Sequence, residues 1–112
     1  MNVQVTGSCQ RPQCPKSIPQ ALASEQLCLD HFMEEAFQRT NMALDRCRCG
    51  LSVDPKSLEW LLADALAIVR NLEEGAADPN PEQRDRMLEL LLILANLHEY
   101  VAHHSVRLER LA

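Results

Sequence analysis

The chain has 112 residues, 46% apolar, 24% charged and 4% aromatic, with 11 basic side chains against 16 acidic ones for a net charge of -5. That length suits one compact domain and excludes a two-domain enzyme or a large barrel. So few aromatic residues, beside long Leu-rich stretches of helical period, also exclude a sandwich or a small β-barrel, and the expected class is mostly α.

Residues 1–8 lack a basic stretch followed by an apolar one, so no secretory leader is expected. The five Cys are an odd number and cannot all pair as internal disulfides. The expected location is the cytoplasm, where clustered Cys and His mark a metal site more often than disulfides. Residues 9–27 contain Pro12, Pro15 and Pro19 and no helical period, which predicts turns and short extended pieces. From Cys28 onward Leu29, Phe32, Met33, Ala36, Phe37, Thr40, Ala43, Leu44 and Cys47 recur at steps of three and four. That spacing predicts a first helix ending near Arg46, before Gly50.

Asp54-Pro55 is a helix start signal, since Asp caps free N–H groups and Pro at the first helical position has none to leave unbonded. Leu58, Leu61, Leu62, Ala65, Ile68, Val69 and Leu72 form one stripe, and Gly75 suits a left-handed cap, giving a second helix over roughly 55–74. After the linker 76–79, Asn80 and Gln83 form a variant of the capping box that opens a third helix. Its seam is Met87, Leu90, Leu94, Leu97, Val101, His104, Leu108 and Leu111, heptad-like and broken only by His104. At about 1.5 Å per residue the second helix is about 30 Å long and the third about 45 Å. Three turns of the third helix are then left to meet the first helix, a second copy or a further domain. The apolar run from Leu88 to Leu97 is about half a membrane span and is interrupted by Glu89 and Asn96, so no membrane crossing is expected.

Charge divides the chain. Residues 1–50 are balanced, while residues 51–112 hold six basic and eleven acidic groups and so carry the whole net charge. The expected organisation is a metal-binding knuckle plus first helix over 1–50 and a helical hairpin over 51–112, forming one unit.

The sharpest pattern is Cys9-x4-Cys14 followed, after thirteen residues, by Cys28-x2-His31 at a helix start. Zinc is held tetrahedrally by Cys and His supplied as two close pairs. Residues three apart in the first turn of a helix face one side, so Cys28 and His31 can share an ion. Pro12 and Pro15 bend the first pair into a knuckle, and residues 18–27 have room for a short hairpin returning the chain to the site. In these residues the chain resembles a treble-clef zinc finger over residues 8–46. The resemblance implies a structural Zn2+ with Cys9, Cys14, Cys28 and His31 as ligands, and it supplies a fold element that serves many functions. Asp30, between two ligands, reads as a solvated first-turn carboxylate or as an outer hydrogen-bond acceptor to the site.

Cys47 is sixteen residues beyond His31, roughly 24 Å along a continuous helix, and cannot join that ion. It reads as a buried small hydrophobe and Cys49 as a loop thiol, with a second metal site involving His103 or His104 as the lesser alternative. His98-Glu99 begins like the zinc-protease HExxH pattern, but position 102 is Ala and His103 is turned about 140° away. The three scattered Gly form no phosphate loop, and no nucleophile turn supports a triad.

The expected function is therefore non-catalytic: a zinc-stabilised interaction or regulatory module that forms a homodimer or docks a protein partner. The expected interface is Leu90, Leu94, Leu97, Val101, Leu108 and Leu111, with Trp60 and Tyr100 as ordinary core residues or further contacts and His98, His103 and His104 at its edges. One alternative is a DNA-binding transcription regulator using the finger with Arg39, Arg46 and Arg48, although the acidic balance works against nucleic acid. Another is a thiol-based redox sensor acting through Cys47 and Cys49 or through oxidation of the ligand thiols.

Overall fold

The structure, a computed structural model, describes residues 5–76 and 79–109. Two short antiparallel strands, β1 (Val5–Ser8) and β2 (Ser17–Pro19), pair Val5 with Pro19 and Ser8 with Ser17 across a bulge. Gly7 sits in that stretch at a φ of 128°, a conformation that side chains rarely adopt. Residues 9–16, which carry the first Cys pair, are the loop of this hairpin. The segment 18–27, expected to hairpin on its own, instead finishes β2 and turns through a short 3-10 helix, Gln20–Leu22. Pro19 has no N–H with which to continue a ladder, and Leu22 plugs the core completely.

The first long helix, α1 (Leu29–Arg48), runs two residues beyond its expected end. Its C-terminus is a Schellman motif: Gly50, at a φ of 71°, donates to the Cys47 carbonyl at 3.1 Å, and Leu51 donates to that of Arg46 at 2.8 Å. Thr40, the buried polar residue on the inner face, donates its hydroxyl to the Ala36 carbonyl at 2.6 Å.

Four helical segments, Pro55–Glu59, Trp60–Ala65, Leu66–Asn71 and Leu72–Ala76, follow one another without a break and form α2. The Asp54 side chain accepts from the Ser57 N–H at 3.1 Å, the cap that Asp54-Pro55 predicts. The second and fourth segments wind with the wider π pitch, which rotates the apolar stripe. Leu58, Leu61, Ala65, Val69 and Leu72 are buried, whereas Leu62 and Ile68 are only half-buried. Gly75 lies inside the last segment and not beyond it. Of the expected linker, Ala77 and Asp78 lie outside the described residues.

The third helix, α3 (Pro81–His103), opens with the full capping box: Gln83 N–H donates to Asn80 Oδ1 at 2.7 Å and Asn80 N–H donates to Gln83 Oε1 at 3.0 Å. It is shorter than the heptad pattern predicts. At His104 the backbone turns extended, the imidazole stacks on Tyr100 with ring centres 4.0 Å apart, and the His104 N–H bonds the Tyr100 carbonyl at 2.9 Å. The chain then folds back beside Val53, which donates to the Arg107 carbonyl at 2.8 Å and accepts from the Glu109 N–H at 2.9 Å. These bonds satisfy the backbone that further helix would have satisfied, so the unmatched turns expected at this end do not exist within the described residues.

Residues of β2, the short 3-10 helix and the three long helices build a single core in which Leu22, Phe32, Met33, Leu61, Leu72, Met87, Leu90, Leu94 and Leu97 are fully buried. Each contributes on the order of 1.5–3 kcal/mol relative to exposure. Among the described residues, no helix is long and apolar enough to cross a membrane.

Candidate metal centre

The hairpin loop delivers the first pair of side chains. Cys9 N–H donates to the Lys16 carbonyl at 2.9 Å, closing the loop at its base, and Cys14 N–H donates to the Arg11 carbonyl at 3.1 Å, making the tight turn. Gln13 stands immediately before Cys14 in the left-handed region, at a φ of 63°. The Gln10 N–H bonds the Gln26 carbonyl at 3.0 Å, which docks this loop against the approach to α1. Cys28 is the N-cap residue of α1 and His31 lies in its first turn, so both project from one end of the helix.

The ligand atoms of Cys9, Cys14, Cys28 and His31 all lie within 4.8 Å of one another. His31 Nδ1 is 3.3 Å from Cys9 Sγ and 3.4 Å from Cys28 Sγ, and the sulfurs of Cys14 and Cys28 are 3.9 Å apart. A tetrahedral ion with bonds of about 2.3 Å to sulfur and about 2.0–2.1 Å to nitrogen demands S···N edges of about 3.5 Å and S···S edges of about 3.8 Å. The three separations fall close to these edges, so the donor set fits a metal ion in size as well as in chemistry. Cys9 and Cys28 are buried, Cys14 and His31 half-buried.

The thiols differ in proton affinity. Burial works to raise Cys9, but the backbone N–H groups of Cys28 and Arg11, with hydrogen bonds from His31 and Cys14, bring it down to about 6. Cys28 is pushed up to about 11 by burial and by the adjoining Cys9 and Cys14. One thiolate is therefore ready at neutral pH, while the neighbouring thiol resists becoming a second without a cation to share.

Around the four residues is a polar clasp that the sequence reading missed. Asp30 is bonded by Lys16 Nζ and by Gln83 Nε2, the latter at 3.0 Å, so it is neither a free carboxylate nor a contact to the ligand side chains. These two partners hold its carboxyl below the usual range, Gln83 foremost. Arg11 in the loop pairs with Glu35 of α1 at 2.5 Å. Glu35 also pairs with Arg39, whose guanidinium lies 4.8 Å from the Trp60 ring centre, and Trp60 donates to Glu25 at 2.8 Å. Apart from the Glu35–Arg39 pair, one helical turn apart, no motif announces these partners, because each joins residues distant in the chain.

The remaining candidate residues are not drawn to the centre. Cys47 is buried at the far end of α1, where burial raises its thiol, and Cys49 is exposed beyond it. Among the described residues no other group of Cys, His, Asp or Glu converges in this way, so His103 and His104 complete no second site. Arg39 is engaged as above and Arg46 Nε donates to the Ser52 carbonyl at 2.6 Å, leaving Arg48 exposed and alone of the expected basic group.

The expected interface also divides. Leu90, Leu94 and Leu97 are fully buried in the chain's own core and Val101 is half-buried. Leu108 is exposed but lies in the returning tail, and Leu111 falls outside the described residues. A helix inside a three-helix core hides its strongest seam, so heptad spacing by itself marks burial and not a partner. Trp60 and Tyr100 are half-buried internal contacts, His103 and His104 are exposed, and His98 is half-buried with its Nε2 lacking a hydrogen-bond partner.

No protein-family model, curated protein or solved structure matches this chain.

Proposed function

We propose that the chain is a non-catalytic, zinc-stabilised interaction module whose N-terminal part is a variant of the treble-clef finger and whose C-terminal helices dock a second copy or another protein. The observation that carries this reading is the convergence of the ligand atoms of Cys9, Cys14, Cys28 and His31 to within 4.8 Å of one another. Three thiolates and one imidazole are a donor set of structural zinc sites, and four protein ligands leave no position for water or substrate. Support for the treble-clef reading comes from the placement of the pairs, one in a hairpin loop and one at a helix start. The difference is that the strands flank the first pair and do not follow it.

Zinc bound here would join β1, β2 and α1 at a place with little apolar area, contributing folding energy that the small sheet lacks. Five unpaired thiols suit the reducing cytoplasm. The interaction role draws on apolar side chains left exposed on α3, Leu88 and Leu92.

Metal analysis of protein purified without added zinc tests the reading. One tightly bound zinc per chain is expected, with loss of metal and of N-terminal structure in a Cys28→Ser variant. A folded protein free of metal would overturn it.

A further inference from the structure

We infer that Cys14 and Cys28 form a reversible disulfide when the centre meets hydrogen peroxide, with release of the metal ion, so that a covalent staple replaces a metal one between the hairpin loop and α1. The inference adds a regulation to the zinc-stabilised reading and rests on it.

Three sulfurs converge at the centre, and solvent reaches them unequally. Cys9 and Cys28 are buried, whereas Cys14 is half-buried in a loop whose Pro12, Gln13 and Pro15 are exposed. Oxidation follows thiolate character and access, so Cys14 is the sulfur that a small peroxide meets first. A second thiol must then stand near enough to resolve the product, and Cys28 Sγ is 3.9 Å from Cys14 Sγ. Closing that gap by about 1.9 Å reaches the length of a disulfide bond.

The polar clasp keeps this pair together without the ion. Arg11, three residues before Cys14, is paired with Glu35, and Lys16, two residues after it, is paired with Asp30. Both flanks of Cys14 are thus tied to the first two turns of α1, the helix whose N-cap is Cys28. Loss of the metal leaves these ties in place.

The chemistry balances with peroxide as the oxidant. The Cys14 thiolate attacks one peroxide oxygen: an S–O bond forms, the O–O bond breaks and hydroxide leaves, giving a sulfenic acid. The Cys28 thiolate then attacks the Cys14 sulfur: the S–S bond forms, the S–O bond breaks and a second hydroxide leaves. The two sulfurs have given up one electron each, the peroxide has gained both, and the hydroxides take up protons to become water. Two of the four donors are then spent, and Cys9 with His31 alone lets the ion go.

Zinc-loaded protein carrying Cys49→Ser, which removes the exposed thiol at the far end of α1, tests the switch under a small excess of hydrogen peroxide. A chelating dye follows the metal, and peptide mass mapping after alkylation locates the bond. Release of one zinc per chain, a peptide cross-linked from Cys14 to Cys28, and recovery of metal binding with dithiothreitol and fresh zinc are expected. Cys14→His, which keeps four donors but has no sulfur in the loop tip, should hold its zinc about tenfold longer under the same peroxide. A bond from Cys9 to either other sulfur in place of the Cys14–Cys28 bond overturns the inference, and so does zinc lost from Cys14→His as quickly as from the parent. If Cys14→His takes up no zinc, the peptide map of the parent decides. Zinc that stays bound through peroxide treatment overturns the switch and leaves the zinc-stabilised reading standing, whereas a metal-free chain that still forms the Cys14–Cys28 bond overturns that reading and spares the pairing.

Discussion

Gln83 Nε2 donates to Asp30 Oδ1 at 3.0 Å, joining residues that lie fifty-three positions apart. Each end of this bond already has a local task. Asp30 sits between Cys28 and His31 in the first turn of α1, while Gln83 closes the capping box that starts α3. With Lys16 on the same carboxylate, the loop bearing Cys9 and Cys14, α1 and α3 meet at one side chain. The centre is thereby anchored to the helical body by polar bonds as well as by apolar packing.

Replacing Asp30 by Ala should lower unfolding stability by about 1–2 kcal/mol, since one hydrogen bond and one partly exposed ion pair are lost together. The variant should also surrender zinc to a chelator faster, because the loop bearing Cys9 and Cys14 loses its Lys16 tether. Denaturant titration and chelator kinetics check the two effects. Unchanged stability and release would show that solvent replaces the clasp at no cost.

The left-handed backbone at Gln13 leads to a second prediction. A residue with a Cβ is disfavoured there by about 1 kcal/mol relative to Gly, and among the described residues no side-chain hydrogen bond of Gln13 offsets this. Gln13→Gly should stabilise the metal-bound protein by no more than about 0.6 kcal/mol after the greater entropy of the unfolded Gly is subtracted. Gln13→Val should destabilise it, and thermal unfolding of the two variants should move in opposite directions.

Helix caps and the metal pattern were legible in the sequence because both depend on residues close together in the chain. Asp54-Pro55, Asn80 with Gln83, Gly50, and the two Cys/His pairs each encode their geometry within a few positions. The end of α3 was not legible, because continued helix and the extended return are chosen between by Val53, some fifty residues away. Nor did the stripe Leu90, Leu94 and Leu97 reveal which neighbour covers it, since the same spacing serves a core and a dimer alike. The π-wound stretches of α2 had no sequence signal at all.

At the opposite end of α1 from the centre, Tyr100 donates its hydroxyl to the Cys47 carbonyl at 3.1 Å, and that carbonyl also accepts from Gly50. Tyr100→Phe removes one of two bonds to an acceptor that remains satisfied. The expected loss is therefore at the low end of the usual range, about 0.5–1 kcal/mol, with zinc content unchanged. A loss of 2 kcal/mol or more would mean that the Tyr100–His104 stack depends on the hydroxyl.

The proton affinities at the centre set the direction of its pH response. Metal ligands must be thiolates, yet Cys28 at about 11 keeps its proton throughout the neutral range, while Cys9 at about 6 has largely lost its own above neutrality. Capture of a cation must therefore expel at least the Cys28 proton, and apparent affinity should rise about tenfold for each pH unit per proton released. As pH falls below about 6, protonation of Cys9 adds one further proton to be displaced and the slope should steepen. Chelator competition at pH 5.5, 6.5 and 7.5 measures the slope, and a dye in weakly buffered solution counts the protons directly. Affinity independent of pH over this interval would show that the thiols are ionised before the metal arrives.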